Sequence, residues 1–368
     1  MIGSLPLNAP QLEGRITPAL DAVEARLLEV VSNADETINP PTSHLAEAGG
    51  KRLRPVLTLL TAQLGDTALA AGEQVRDAGV AVELTHIATL YHDDVMDEAP
   101  LRRGAPSAQT VWGNSAAILT GDVLVARASQ LVAALGPEAV LAHAKTFERL
   151  CMGQLHETLP RPAGTDPVDH YIRVLADKTG SLIAVSARYG AMLTRAGAAT
   201  ERVVEEFGEK IGVAFQLADD VIDLAGDSET TGKTPGTDLR EGVDTMPVLL
   251  LRKALAAGEL DAAGQAILSR LSTGNLDDDA VLADIVARLR LHPVLARTRE
   301  MAMTWAREAV GALAGLEDAV LTGTRERLDA AGAGGAEREA ALADAARRVA
   351  LVHEGMEQFA RLLVDRAA

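Results

Sequence analysis

Two aspartate clusters with the same DDxxD spacing are the part of this sequence best suited to chemistry. The clusters are Asp93, Asp94 and Asp97, and Asp219, Asp220 and Asp223. Carboxylates at positions i and i+4 project from one face of a helix, about 6 Å apart along its axis. Their mutual repulsion is costly unless cations neutralise it. Mg²⁺ accepts a few carboxylate oxygens and keeps sites for water and phosphate oxygens, so the pattern predicts a metal site for a phosphate-bearing ligand.

Both clusters are predicted to lie on long amphipathic helices, each with an apolar stripe for packing and a second stripe for chemistry. The apolar stripes are Val80, Leu84, Ile87, Tyr91 and Val95, and Phe207, Ile211, Ala214, Ala218 and Ile222. The second stripes are Val82, His86, Thr89, Asp93 and Asp97, and Gly208, Gly212, Gln216, Asp219 and Asp223. A single cluster would more often be a solvated acidic helix end, but its repetition favours two facing helices with carboxylates on both walls of a cavity.

Several basic motifs could bind the anion that such a site implies. The candidates are Lys51, Arg52 and Arg54 in GGKRLRP, Arg102 with Arg103 after the first cluster, Lys178 with Thr179 in KTG, and Lys233 in GKTPGTDLREG. Guanidinium forks suit phosphate oxygens, and a basic turn at a helix start can add backbone N–H groups. Taken alone, each of these motifs is more often a surface turn or a surface charge.

Composition limits the fold and the partners. The 368 residues are 48% hydrophobic but only 2% aromatic, and the apolar positions recur at helical spacing, which predicts an all-α fold. The net charge of −17 disfavours a nucleic-acid binder. A single cysteine, Cys151, excludes a disulfide framework and a cysteine metal site.

The N-terminus lacks signal-peptide features, and the sequence has no uninterrupted run of 18 apolar residues. We therefore expect a cytoplasmic protein without a transmembrane segment.

Proline and glycine punctuation divides the chain into helices without an obvious linker, which favours one domain over residues 1–368. The predicted helices span about 17–32, 52–63, 74–98, 107–134, 138–157, 178–195, 199–226 and 245–256, with more towards the C-terminus. Near the end, AAGAGGAERE is typical of a flexible connection before a last amphipathic helix.

The motifs occur in the order and rough spacing of a known family. GGKRLRP, THIATLYHDDVMD with LRRG, KTG, FQLADDVID and GKTPGTDLREG together resemble the trans-isoprenyl diphosphate synthases, also called polyprenyl synthetases. The resemblance covers about residues 45–252, whereas residues 253–368 are only loosely similar. It implies an orthogonal bundle of antiparallel helices of the isoprenoid synthase type around a central cavity, normally in a homodimer.

The resemblance also implies a role for each motif residue. Three Mg²⁺ ions would be held by Asp93, Asp97 and Asp219, supported by Asp94, and the metal-site candidates extend to Asp220 and Asp223. Isopentenyl diphosphate would meet Lys51, Arg54, His86 and Arg103; the allylic diphosphate would meet Arg102, Lys178 and Lys233; Gln216 and Thr179 would face the reacting carbons. Metals and cations would stabilise the departing diphosphate, so that an allylic cation forms and the double bond of isopentenyl diphosphate attacks it. The released diphosphate would then take the proton.

The resemblance implies that product length depends on residues beneath Asp93 on its helix. Ala88 is about 140° round the helix from Asp93, so its role comes from the resemblance and not from the helix geometry. Thr89, Ala88 and Thr85 lie roughly 6, 7.5 and 12 Å below it along a helix. In the family, aromatic residues four or five positions before the motif stop the chain early, so small residues here predict a long product, heptaprenyl to decaprenyl. Release of such a product would involve transient membrane contact. A farnesyl or geranylgeranyl product is the alternative, if Tyr91 or a neighbouring helix closes the tunnel.

Two other function classes stay open at this stage. A terpene cyclase or head-to-head synthase would use the same ionisation, but cyclases usually carry an Asn/Ser/Glu-type second metal motif where this chain repeats DDxxD. A non-catalytic partner subunit would have lost one or both aspartate motifs. One departure from the family pattern is Val243, followed by Asp244, where a lysine is frequent. This puts in doubt a phosphate contact at that position.

Overall fold

A computed structural model describes residues 10–226 and 235–365, and most of these residues are helical. The only sheet in this described part is a short antiparallel hairpin, in which β1 (Leu101–Arg102) pairs with β2 (Ala105–Pro106). The all-α prediction is therefore confirmed. The chain forms two compact units, Met1–Glu148 with Ser181–Gly208 and Val310–Phe359, and Arg149–Gly180 with Glu209–Ala309 and Ala360–Ala368. The prediction of a single domain stays a prediction.

The first unit is built around one long buried helix. Its helices are α1 (Pro10–Val31), α2 (Asn39–Glu47), α3 (Leu53–Thr61), α4 (Glu73–Met96), α5 (Ala108–Trp112), α6 (Asn114–Leu135), the start of α7 (Pro137–Thr158), α9 (Ser181–Leu193) and the start of α10 (Ala198–Ala225). Helices α16 (Leu316–Ala330) and α17 (Gly335–Val364) contribute C-terminal parts of the chain. Helix α4 packs against α1, α3, α6 and α9, so its sequence determines which face remains for chemistry.

The second unit contains the remaining helices. They are α8 (Pro167–Leu175), α11 (Thr237–Arg240), α12 (Met246–Ala256), α13 (Ala262–Thr273), α14 (Asp279–Leu291) and α15 (Pro293–Ala312), together with later parts of α7 and α10. A π-helical turn, Ala176–Gly180, separates α8 from α9. Such turns are rare and frequently mark functional sites.

The apolar stripes of the two aspartate helices are buried as predicted. On α4, Val80, Leu84, Ile87 and Tyr91 are fully buried, whereas Val95 is half-buried. On α10, Phe207, Ile211, Ala214 and Ala218 are fully buried, and Ile222 is half-buried. Burying each large side chain contributes roughly 1.5–3 kcal/mol. These stripes fix the rotation of each helix and therefore the direction of its carboxylates.

The first predicted helix, 17–32, begins earlier in the structure, at Pro10. Three further predicted elements differ from the structure for local reasons. The NPPTS segment begins helix α2 because its prolines occupy the first helical positions, where no N–H bond is lost. The helix predicted over 107–134 is broken at Gly113, which has a φ of 84°. The helix predicted to begin at Lys178 is preceded by α8, whose N-cap Asp166 accepts hydrogen bonds from the backbone N–H groups of Val168 and Asp169.

Helix α6 is the one described helix whose length and apolar composition would allow it to cross a membrane. Its most apolar 18-residue window contains no more than two charged residues, and 33% of that window is buried. Asp122 and Arg127 lie within this helix, so its apolar residues do not form an uninterrupted run. A single helix of this kind is weak evidence for a membrane span, because core helices of soluble proteins pass the same test.

Candidate active site

The first aspartate cluster lies in the last turn of α4 and just beyond it. Asp93 is half-buried, and Asp97 is exposed at the C-cap, where its backbone N–H donates to the Asp93 carbonyl at 2.8 Å. The C-terminal end of a helix carries partial negative charge, so carboxylates are unfavourable there. The negative charge at this end of α4 therefore favours the binding of cations.

The middle aspartate of this cluster is held differently. Asp94 is fully buried, and its Oδ1 accepts a hydrogen bond from Arg102 Nε at 2.5 Å. Burial raises the pKa of Asp94, whereas the Arg102 guanidinium lowers it. Its Oδ2 is buried without a hydrogen-bond partner among the described residues. A buried carboxylate oxygen without a donor is costly, so this position could accept a hydrogen bond or a metal ion.

A basic cluster in the same unit contains Arg54, His86 and Arg103. Burial lowers the pKa of Arg54 to about 10, and Arg103 acts in the same direction. Burial also lowers the pKa of His86, and the guanidiniums of Arg54 and Arg103 lower it further. Arg54 Nε is buried without a hydrogen-bond partner in the described part of the chain. The cluster therefore has uncompensated positive charge and a donor that an anion could use.

The neighbouring Arg52, by contrast, is held by hydrogen bonds to other protein groups. It adopts a left-handed backbone conformation with φ of 50° at the N-cap of α3, and its side chain is only 1% exposed. Its guanidinium donates to both carboxylate oxygens of Glu24, to Glu83 at 2.9 Å and to the Ala46 carbonyl at 2.9 Å. The sequence offers Arg52 as an anion ligand beside Lys51 and Arg54, but in the structure its donors bind protein acceptors.

Arg103 is aimed by the glycine-led turn that precedes α3. Its Nη1 donates to the Leu45 carbonyl at 2.8 Å and to the Gly49 carbonyl. A Cβ atom at Gly50 would lie 3.1 Å from Arg103 Cζ, which is tighter than ordinary contact. The GG of GGKRLRP therefore lets this guanidinium lie directly against the backbone.

The second aspartate cluster lies at the end of α10. Its middle member Asp220 is buried and accepts hydrogen bonds from Tyr171 Oη at 3.0 and 3.1 Å and from the Met246 N–H at 3.1 Å. Burial raises the pKa of Asp220 well above its usual range, although both donors lower it. Asp219 and Asp223 are half-buried, and Asp223 accepts a bond from the Thr237 N–H at 3.2 Å. The two clusters thus share a design with a buried, protein-bound second aspartate.

The KTG motif forms the π-helical turn and packs tightly against glycines. A Cβ at Gly212 of α10 would lie 2.6 Å from Gly180 Cα, and a Cβ at Gly153 of α7 would lie 2.9 Å from the Lys178 backbone N. Only glycine permits such approaches. Lys178 forms an ion pair with Glu157, and Thr179 is buried. The sequence spacing places Gly212 on the second stripe of α10. In the structure its lack of a side chain lets the π-helical turn approach α10 closely.

An arginine also ties this turn to its neighbours. Arg149 of α7 bonds Asp177 Oδ1 at 2.7 Å and grips Glu209 of α10 with two nitrogens at 2.8 and 3.1 Å. The hydrogen bonds that Arg149 donates to Glu209 and Asp177 raise its pKa despite its partial burial. Three elements are therefore fixed around Lys178 and Thr179.

The structure places the predicted site residues in two groups, each within one unit. The first unit contains Lys51, Arg54, Thr85, His86, Ala88, Thr89, Asp93, Asp94, Asp97, Arg102 and Arg103, and the second contains Lys178, Thr179, Gln216, Asp219, Asp220 and Asp223. Lys233 lies outside the described residues. Ala88 and Thr85 are buried, whereas Thr89 is half-buried. Among the described residues, no group of three or more His, Cys, Asp or Glu side chains is already arranged to hold a metal ion.

Three residues of these networks were missed from the sequence. Glu83 could have been noticed, because it is a charged residue in a largely apolar part of α4, three positions before His86. Tyr171 and Arg149 gave no comparable signal, since their partners Asp220, Asp177 and Glu209 are distant along the chain.

Comparison with known proteins gives a consistent result. The sequence model of the polyprenyl synthetase family matches residues 35–277. A nonaprenyl diphosphate synthase of Mycobacterium tuberculosis is 46% identical over 320 residues, covering 86% of this chain and 92% of the relative.

Solved structures agree with the sequence match. A geranylgeranyl pyrophosphate synthase from Corynebacterium glutamicum, complexed with calcium and isoprenyl diphosphate, has a TM-score of 0.74 at 35% identity and covers 98% of each chain. A decaprenyl diphosphate synthase from Rhodobacter capsulatus has a TM-score of 0.71 at 31% identity, covering 94% of this chain and 99% of that one. These matches confirm the family and the isoprenoid synthase type of fold expected from the motifs, and the chain belongs to the polyprenyl synthetase family.

Proposed function

We propose that this protein is a trans-polyprenyl diphosphate synthase. It condenses isopentenyl diphosphate with an allylic diphosphate in successive head-to-tail steps and gives a long-chain polyprenyl diphosphate. The observation that carries the proposal is the half-buried Arg54, whose Nε is buried without a hydrogen-bond partner among the described residues, in the same unit as the acidic end of α4. The relative that makes nonaprenyl diphosphate supports the long product over the farnesyl or geranylgeranyl alternative.

The carboxylates fit the Mg²⁺ ions that this reaction requires. All the candidate ligands are oxygen donors, which hard divalent cations prefer, and Asp94 Oδ2 is a buried oxygen without a donor. Asp93, Asp97 and Asp219 would hold the ions, with Asp223 in support. Bound metal would neutralise the diphosphate and assist its departure. Asp220 accepts hydrogen bonds from Tyr171 and the Met246 N–H, so we assign it to orienting the cluster. Asp94 binds Arg102 through Oδ1 and keeps Oδ2 to support the ions.

The basic cluster of the first unit is assigned to isopentenyl diphosphate. Lys51, Arg54 and Arg103 supply positive charge, and guanidinium forks match diphosphate oxygens. His86, whose pKa is lowered, is neutral at physiological pH and can donate one hydrogen bond without adding charge. The pocket therefore offers positioned donors to an anion, and His86 adds no further positive charge to it.

The remaining candidates are assigned to the allylic substrate. Lys178 and Lys233 would hold its diphosphate, whereas Thr179 and Gln216 would orient the reacting carbons. Arg102 uses Nε for Asp94, and its two terminal nitrogens have no partner in the described part of the chain, so they can donate to phosphate oxygens. The apolar helix faces around the cation would exclude water, which would otherwise trap it.

Removing the basic turn should weaken one substrate selectively. We expect Lys51→Ala and Arg54→Ala to raise the KM for isopentenyl diphosphate by about tenfold or more, because each removes a charge-assisted hydrogen bond. The KM for the allylic primer should change much less. The matched control is Arg307→Ala, which removes an exposed arginine paired with Glu300. Initial rates with each substrate varied in turn measure both constants, and equal effects on both substrates would reject the assignment.

The rival functions make different products. A cyclase would convert an allylic diphosphate alone into a hydrocarbon, and a non-catalytic partner subunit would incorporate no isopentenyl diphosphate by itself. Both aspartate motifs are present in this chain, which supports the synthase over either rival.

We further propose that the protein is a homodimer, with α6 in the interface. The outward side of α6 exposes Ile118, Leu119 and Val123, and Leu119 is 63% exposed. Large exposed apolar side chains grouped on one helix favour a contact site. A second copy of the chain would cover these side chains and would account for the high hydropathy of this helix.

Light scattering should give twice the chain mass for the wild type and a shift towards the monomer for Leu119→Glu. A monomeric wild type would contradict the proposal.

A further inference from the structure

A buried carboxylate lies beneath the basic cluster of the first unit. Glu83 is 2% exposed and lies on α4, three residues before His86. Its Oε1 accepts a hydrogen bond from Arg52 Nη1 at 2.9 Å and lies 3.5 Å from Arg103 Nη2. A buried carboxylate is costly unless cations and donors surround it, so its presence in the core of α4 calls for a role.

Neutralising Arg52 is not a sufficient role for Glu83. Arg52 already forms a two-point ion pair with Glu24, through Nε at 2.6 Å and Nη2 at 2.8 Å. It also donates to the Ala46 carbonyl at 2.9 Å. Since one carboxylate balances one guanidinium, the charge of Glu83 is left over for the neighbouring cations.

Those neighbours are two of the residues assigned to isopentenyl diphosphate. The guanidiniums of Arg103 and Arg54 both interact electrostatically with Glu83, which opposes the lowering of their pKa values by burial. Arg103 also has a left-handed backbone with φ of 54°, a conformation that costs a side-chain residue energy. Its guanidinium is held by two carbonyls on one side and by Glu83 on another. These contacts fix where its remaining donors can meet a ligand.

We propose that Glu83 is a positioning residue for isopentenyl diphosphate, acting through Arg103. This inference rests on the proposed function. Arg52 holds one carboxylate oxygen of Glu83 at a fixed point, and Arg103 is oriented against that point. Three guanidiniums, those of Arg52, Arg54 and Arg103, surround two carboxylates. The cluster therefore retains positive charge for the diphosphate while its geometry is set in advance.

The test compares two substitutions that remove a carboxylate from the same arginine. Glu83→Gln should raise the KM for isopentenyl diphosphate by about tenfold, because a charged partner of Arg103 is lost. The KM for the allylic primer should change less than about threefold. Glu24→Gln removes the other partner of Arg52 without touching Arg103, so it should lower Tm but leave both KM values near those of the wild type.

Three outcomes would overturn the inference. If Glu83→Gln leaves the KM for isopentenyl diphosphate unchanged, or if Glu24→Gln raises it equally, the network has only a structural role. A lower KM in Glu83→Gln would show instead that Glu83 competes with the substrate for the guanidiniums. These results differ from failure of the proposed function, in which the wild type itself would incorporate no isopentenyl diphosphate.

A second set of variants covers the case in which Glu83→Gln does not fold. Glu83→Asp keeps the charge but withdraws it by one methylene, so it should fold and raise the KM for isopentenyl diphosphate by a smaller factor. Arg103→Ala provides the coupling test. If Glu83 acts through Arg103, adding Glu83→Asp to Arg103→Ala should raise the KM no further, whereas multiplied effects would contradict the coupling.

Discussion

Asp93→Ala and Asp219→Ala are each expected to reduce turnover by about a hundredfold or more, because each removes a ligand for the cations that stabilise the departing diphosphate. The helical fold should survive, since Asp93 lies at the C-terminal end of α4, where negative charge destabilises a helix. Steady-state kinetics over a Mg²⁺ titration and circular dichroism measure the two effects.

The matched control for these variants is Asp284→Ala. Asp284 is also a helical aspartate, but it pairs with Arg288 at 3.0 Å on α14. Its removal should leave turnover unchanged. Near-normal turnover in Asp93→Ala or Asp219→Ala, or wild-type activity in excess EDTA, would contradict the metal assignment.

Ala88→Phe should shift the products from long chains to shorter ones without abolishing condensation. Ala88 is fully buried on α4 and lies roughly 7.5 Å below Asp93 along the axis. A phenyl ring there would block growth of the isoprenoid chain, whereas the carboxylates above it would be unchanged. Mass spectrometry of the products, with every chain length quantified, measures the shift.

This substitution also adds volume to a packed interior, which typically costs about 1–3 kcal/mol of stability. Ala302→Phe is the control, because Ala302 is equally buried but lies on α15. It should lower Tm and leave the product lengths unaltered. An unchanged distribution in a folded Ala88→Phe protein, or a wild type that already stops at farnesyl diphosphate, would disprove the role of Ala88.

The sequence predicted the aspartate helices closely because their information is local. The predicted range 74–98 became Glu73–Met96, and 199–226 became Ala198–Ala225. Apolar residues at helical spacing define both the element and its buried face. By contrast, the π-helical turn at Ala176–Gly180 depends on close approach to Gly153 and Gly212, which are distant in sequence.

The candidate site shows the same division. The spacing of DDxxD identified the residue types and the helix face, but it did not distinguish Asp93, which is half-buried, from Asp94, which is buried against Arg102. Likewise, GGKRLRP presents three cations in four positions, and only the structure separates the enclosed Arg52 from Arg54. These differences arise from tertiary contacts, to which a one-dimensional pattern is insensitive.

Product analysis by mass spectrometry tests the central claim most directly. Purified protein would be incubated with Mg²⁺, isopentenyl diphosphate and, in separate reactions, geranyl, farnesyl or geranylgeranyl diphosphate. We expect linear polyprenyl diphosphates of heptaprenyl to decaprenyl length, one inorganic diphosphate released for each isoprene unit added, and no product in EDTA. Cyclic hydrocarbons, products that end at farnesyl or geranylgeranyl diphosphate, or no incorporation of isopentenyl diphosphate would contradict the account.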